Sequence, residues 1–155
     1  MGFQIRALNV DQFSHLFGAS NETLASLGVE RVVADENPGF PCRVSLTDAE
    51  LGESVLLLNY EHQPASSPYR SCHAIFIREW ASEAMLGENE IPEQLRQRLL
   101  SVRAFDCSGM MIDADVIDGH ELESLLARMF ANEFVSYLHL HNAKPGCYAA
   151  LVERH

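Results

Sequence analysis

Phe134-Val135-Ser136-Tyr137-Leu138-His139-Leu140-His141-Asn142-Ala143-Lys144-Pro145-Gly146-Cys147-Tyr148-Ala149-Ala150-Leu151-Val152 is the stretch whose reading decides the fold. Two runs rich in strand-forming residues, 134–141 and 147–152, flank Ala143-Lys144-Pro145-Gly146. That connection is too short for a crossover helix, so the two runs are predicted to pair as an antiparallel hairpin. The same logic applies upstream, where runs at 101–106 and 110–117 flank Cys107-Ser108-Gly109. Further strands are expected at about 3–8, 29–34, 42–46, 54–61 and 73–78.

Helical signals are fewer. Asn9 and Gln12 have capping-box spacing ahead of Phe13, Leu16 and Phe17. A short helix after Ser20 carries Leu24 and Leu27 and ends at Gly28, placed for a left-handed cap. A third starts near Pro92, with Leu95 and Leu99 on one face. The clearest spans 119–130, with Asp118 and Glu121 at its start and Leu122, Leu125, Leu126 and Met129 at i, i+3, i+4, i+7. The pattern predicts an α+β fold, a mainly antiparallel sheet with about four helices packed on it, as a single globular domain over residues 1–155.

Composition excludes several classes of function. A formal net charge of −11 over 155 residues repels phosphate backbones and anionic lipid, which argues against nucleic acid and membrane as partners. No apolar run reaches the roughly 18 residues of a membrane span. The first residues lack the pattern of a signal peptide, so a cytoplasmic address is expected. Cys42, Cys72, Cys107 and Cys147 form no C-x-x-C pair, which argues against a zinc knuckle or a redox motif. No glycine-rich phosphate loop, G-x-S-x-G elbow or calcium loop is present.

Chemistry concentrates at the hairpin. Residues two apart on a strand share a face, so His139 and His141 point the same way with Cα atoms roughly 6.5–7 Å apart, close enough to converge on one metal ion. A usable site needs a third ligand and an open position. His62 is the first candidate, followed by Asp106 and Cys147. The same histidines are candidate proton-transfer groups, and Cys147 a candidate nucleophile beside an imidazole. Ordinary packing of hydrogen-bonded histidines and a buried thiol is the competing structural explanation.

All the basic residues but Lys144 are arginine. Arginine's planar fork holds carboxylates and phosphates through paired hydrogen bonds. Arg43, Arg70, Arg78 and Arg103 lie in or beside expected strands. Arg70 closes a Pro/Ser-rich loop after His62, Gln63-Pro64-Ala65-Ser66-Ser67-Pro68-Tyr69-Arg70, a candidate wall or lid. Arg103 is also placed to pair with Asp106.

Four ordered motifs carry a resemblance. Pro41-Cys42-Arg43-Val44-Ser45-Leu46 comes first, then Tyr60-Glu61-His62-Gln63-Pro64 with Pro68-Tyr69-Arg70. Arg103-Ala104-Phe105-Asp106 with Gly109-Met110-Met111 and His139-Leu140-His141-Asn142-Ala143 with Gly146-Cys147-Tyr148 complete the set. Together they resemble a bacterial domain-of-unknown-function family, number twelve-zero-three, over nearly the whole chain after residue 35. The resemblance implies a bacterial cytoplasmic protein without an assigned activity. The chain departs from the family pattern at Ser71-Cys72-His73-Ala74, which counts against Cys72 and His73 as site residues.

These readings lead to three functional expectations. The first is a site for a small anionic molecule, binding or converting it, in which Arg43, Tyr69, Arg70, Arg103, Asn142 and Tyr148 line a pocket and His62, His139 and His141 move protons or bind a divalent metal. The second is a non-catalytic interaction or regulatory module with an acidic surface for a protein partner. The third is a metal-dependent enzyme built on the His-x-His pair.

Overall fold

The computed structural model describes residues 2–155, which gather into two compact units. The first comprises residues up to Arg6, Glu61–His73 and Leu86–His155; the second comprises Ala7–Tyr60 and Ala74–Met85.

The first unit is built on five antiparallel strands: β1 (Phe3–Arg6), β5 (Leu99–Phe105), β6 (Met111–Asp118), β7 (Tyr137–Asn142) and β8 (Tyr148–Arg154), in the order β1-β8-β7-β5-β6. The expected hairpins β5–β6 and β7–β8 both form. Gly109 stands in the first turn at φ +81° and Gly146 in the second at φ +80°, backbone positions that side chains with a Cβ rarely adopt. Side-chain alternation separates the two faces of the sheet. Leu100, Val102 and Ala104 of β5, with Leu138 and Leu140 of β7, are fully buried on one face. Arg103 opposite His139, Ser101 opposite His141 and Phe105 opposite Tyr137 form the other.

Two helices belong to this unit, α2 (Glu93–Arg96) and α3 (Leu122–Phe130). The 119–130 segment opens as a 3-10 turn, Gly119–Glu121, capped by the Asp118 carboxylate on His120 N, and then becomes α3, which lies against β6. Leu122, Leu125, Leu126 and Met129 are buried as the stripe requires. Each contributes roughly 1.5–3 kcal/mol by leaving water. Leu99, expected on the helix near Pro92, instead opens β5 and is exposed. A helix of four residues satisfies few of its own backbone groups, and the Arg98 carbonyl is taken by Gly119 N at 2.8 Å instead.

The second unit holds α1 (Asn21–Ser26), β2 (Glu30–Val33) and most of β3 (Ser54–Gln63) and β4 (Ser71–Arg78), which lie in the order β2-β3-β4. Ser20 caps α1 by accepting from Thr23 N, and Gly28 ends it at φ +71°. The described residues thus hold three α-helices where about four were expected. The missing one lies after Asn9, where the chain makes two 3-10 turns, Val10–Gln12 and Ser14–Leu16. The Asn9 side chain accepts from Asp11 N, a tight local turn that does not propagate into a helix. The expected strand at 42–46 is likewise not a strand. Cys42 N bonds to Thr47 O, and Leu46 sits at φ +52°, so the chain folds back on itself where a strand would continue.

No helix among the described residues is long and apolar enough to cross a membrane.

Candidate metal centre

The hairpin supplies two imidazoles and the end of β3 supplies the third. β7 places His139 and His141 on the same face, as the strand period requires, and His62 reaches them from the first unit's 61–73 segment. One ring nitrogen from each of His62, His139 and His141 lies within 4.8 Å of the others. Their relative exposures are 8%, 4% and 0%. His62 meets both partners edge-on, with ring centroids 5.5 Å from His139 and 5.0 Å from His141.

Each ring also keeps one buried nitrogen without a hydrogen-bond partner among the described residues: His62 Nδ1, His139 Nδ1 and His141 Nε2. An unpaired buried polar atom costs about 1–3 kcal/mol, so three in one cluster need a physical reason. The second nitrogen is fixed in two of the rings, His141 and His62. His141 Nδ1 stands 3.0 Å from the Gly146 carbonyl, which can only accept, so that nitrogen carries the proton and Nε2 keeps its lone pair. His62 Nε2 lies 2.7 Å from His73 Nδ1 and 3.2 Å from Ser71 Oγ. Tyr148 stacks on His62 at 5.1 Å and meets His139 edge-on at 5.2 Å, closing the cluster from β8.

Electrostatics keep all three rings neutral. Burial pushes His62 down to about 4, with His73 and Arg103 adding to the shift. Burial, then His62 and Arg103, takes His139 down to about 3. His141 is also held at about 3, chiefly by burial, although its bond to the Gly146 carbonyl opposes the shift. No carboxylate is among the groups acting on these rings. A neutral imidazole with a free lone pair is the form that ligates a metal ion.

Arg103 stands with the imidazoles, directly across the β5–β7 ladder from His139. It makes no ion pair with Asp106, whose carboxylate is occupied in its own turn by Ser108 N, Ser108 Oγ and Met110 N. Arg70 is exposed and paired with Glu61 at 3.1 Å. Arg43 lies in the second unit, 1% exposed, and donates through Nη1 to the Pro41 carbonyl. Arg78, also there, pairs with Glu53 at 2.9 Å.

The remaining expected site residues are divided. Tyr69 is exposed at the loop and meets Phe105 edge-on at 6.2 Å. Asn142 is buried in the hairpin, where its Nδ2 approaches Cys147 Sγ at 3.9 Å and its Oδ1 has no partner among the described residues. Cys147 is not among the three groups whose ligand atoms converge.

His73 was discounted on sequence and is in direct contact with the cluster. The signal for it was the strand period: His73 shares its face of β4 with Ile75 and Ile77, both fully buried. Gln63 was also missed. Its Nε2 donates to Tyr137 Oη at 2.9 Å, tying the 61–73 segment to β7 beside the histidines.

No curated protein and no solved structure matches this chain. The model of the family described as Protein of unknown function (DUF1203) matches residues 39–154, a span that contains all four clustered histidines, Arg103 and Tyr148, and the chain belongs to that family.

Proposed function

We propose that this chain is a metal-binding protein that holds a divalent late first-row transition metal ion on His62, His139 and His141 and leaves a coordination position open. The convergence of three neutral imidazoles, each with an unpartnered buried nitrogen, carries this reading. Metal–nitrogen bonds of about 2.0–2.1 Å around a tetrahedral ion put ligand nitrogens about 3.3 Å apart. Nitrogens lying within 4.8 Å of one another are therefore at most about 1.5 Å further apart than a bound ion requires. Imidazole ligands suit zinc, copper, nickel and iron over calcium or magnesium, which prefer oxygen. Three protein ligands and a free fourth position are the pattern of metal sites that act on a ligand, whereas purely structural zinc sites fill all four.

The hydrogen bonds around the triad support the same reading. Metal-bound histidines commonly donate their second ring nitrogen to a carbonyl or similar acceptor, as His141 does to Gly146. His62 is engaged through its second nitrogen by His73.

The test is a titration of purified, chelator-treated protein with Zn2+ in competition with a chromophoric chelator. Wild type is expected to bind one equivalent, and His141→Ala or His62→Ala to lose at least about 100-fold in affinity. Zinc, cobalt and nickel all failing to bind, or binding that survives loss of both His139 and His141, would overturn the reading.

A further inference from the structure

We infer that the ligand taken by this centre is a small carboxylate, bound between the metal ion and the guanidinium of Arg103. The inference rests on the metal reading above and names the chemistry of the open position.

Strand register brings Arg103 to the centre. Arg103 and His139 are direct partners across the antiparallel β5–β7 ladder, so their side chains leave the sheet on the same face as neighbours. Arg103 ion-pairs with no carboxylate among the described residues, and its Nε makes only a long 3.4 Å contact with Ser101 Oγ. Six other arginines of this chain pair with carboxylates: Arg6, Arg31, Arg70, Arg78, Arg96 and Arg128. Arg103 is nevertheless only partly exposed, opposite the buried His139. An arginine held partly out of water without a carboxylate leaves a two-pronged donor unfilled.

The total charge of a loaded centre also calls for an anion. Imidazole binds a metal ion as a neutral ligand, so a bound divalent ion keeps its full charge beside that of Arg103, and the converging ligand group contains no carboxylate. Two cationic groups sharing a poorly solvated site repel each other unless an anion lies between them. A carboxylate meets both demands: one oxygen completes the coordination of the ion and the other accepts from the guanidinium fork. Arg103 is the partly exposed member of the group, so a soluble anion reaches it from water.

The experiment uses full-length protein loaded with Co2+, whose visible spectrum reports changes in coordination. Acetate is titrated into wild type, Arg103→Gln and Arg103→Lys, with acetamide as the neutral control of the same shape. Wild type is expected to give a saturable spectral change with acetate and none with acetamide. Arg103→Gln should bind Co2+ as tightly as wild type or more tightly, because a repelling charge is gone, and should lose at least about 10-fold in acetate affinity. Arg103→Lys, which keeps the charge without the fork, should fall between them and serves if the glutamine variant does not fold. Co2+ binding with equal acetate affinity in wild type and both variants overturns this inference alone. A wild-type response to acetamide equal to that with acetate does the same. Failure of wild type to bind Co2+ removes the metal reading and this inference together.

Discussion

His73 Nδ1 lies 2.7 Å from His62 Nε2, and the two rings stack with centroids 4.6 Å apart. The contact fixes the orientation of His62 and leaves its Nδ1 as the nitrogen without a partner. Loss of a group that orients a metal ligand typically costs 10–100-fold in metal affinity. His73→Ala is therefore expected to weaken zinc binding by about that factor while leaving the melting temperature of the metal-free protein within a few degrees of wild type. His73→Asn, which can still hydrogen-bond, should recover part of the loss. Chelator competition and a thermal melt on the same samples check both.

The unpartnered nitrogen of His139 leads to a second expectation. In metal-free protein it is a buried polar atom without compensation, so His139→Leu should be neutral or should raise stability by about 1 kcal/mol in urea unfolding. The same variant should lose the stabilisation that zinc gives wild type, about 4 kcal/mol at a thousandfold excess of ion over its dissociation constant. A metal-free variant destabilised by several kcal/mol would mean that His139 is held by interactions the metal reading does not include.

Glu79, in the second unit, sets a pH dependence unrelated to metal. Its carboxylate accepts from Arg31 Nε at 2.5 Å, from Gly18 N at 2.9 Å and from Ser54 Oγ. The Arg31 hydrogen bond leads the causes that hold it down to about 2, against 4.5 for an unperturbed glutamate. A depressed folded-state value means that the unfolded chain takes up the proton first as pH falls. The stabilisation is complete above about pH 4.5 and is lost between there and about pH 2. Each pKa unit is worth about 1.4 kcal/mol, so the whole effect is on the order of 3–4 kcal/mol. The stability difference between wild type and Glu79→Gln should be largest at neutral pH and shrink across that window, measured by urea unfolding at several pH values.

Gly109 ties the 61–73 segment to the β5–β6 turn. Its φ of +81° disfavours any residue with a Cβ, and a Cβ there would stand 2.4 Å from that of Ala65. Ser67 Oγ donates to the Gly109 carbonyl at 2.8 Å. Gly109→Ala is expected to cost about 1–3 kcal/mol of stability, the left-handed backbone alone accounting for about 1–2. Because the displaced loop follows His62 directly, zinc affinity should fall as well. A thermal melt with and without zinc measures both effects.

How far the sequence could be read depended on whether each signal was local. The alternation in β5 to β8 and the short turns holding Gly109 and Gly146 specify an antiparallel hairpin pair within themselves, and the Leu122–Met129 stripe specifies a helix. Residues 9–17 and 42–46 misled because propensity at that length is weak. A local Asx turn at Asn9 and a left-handed Leu46 outweighed it.

By itself the sequence determined that His139 and His141 share a face, because a strand has a period of two and no long-range contact can change it. Only the tertiary structure decided that His62 completes the triad with His73 behind it, that Arg103 rather than Arg70 stands beside it, and that Cys147 does not join it. Those outcomes depend on strand order and register between segments distant in the chain. No pattern within a single segment encodes them.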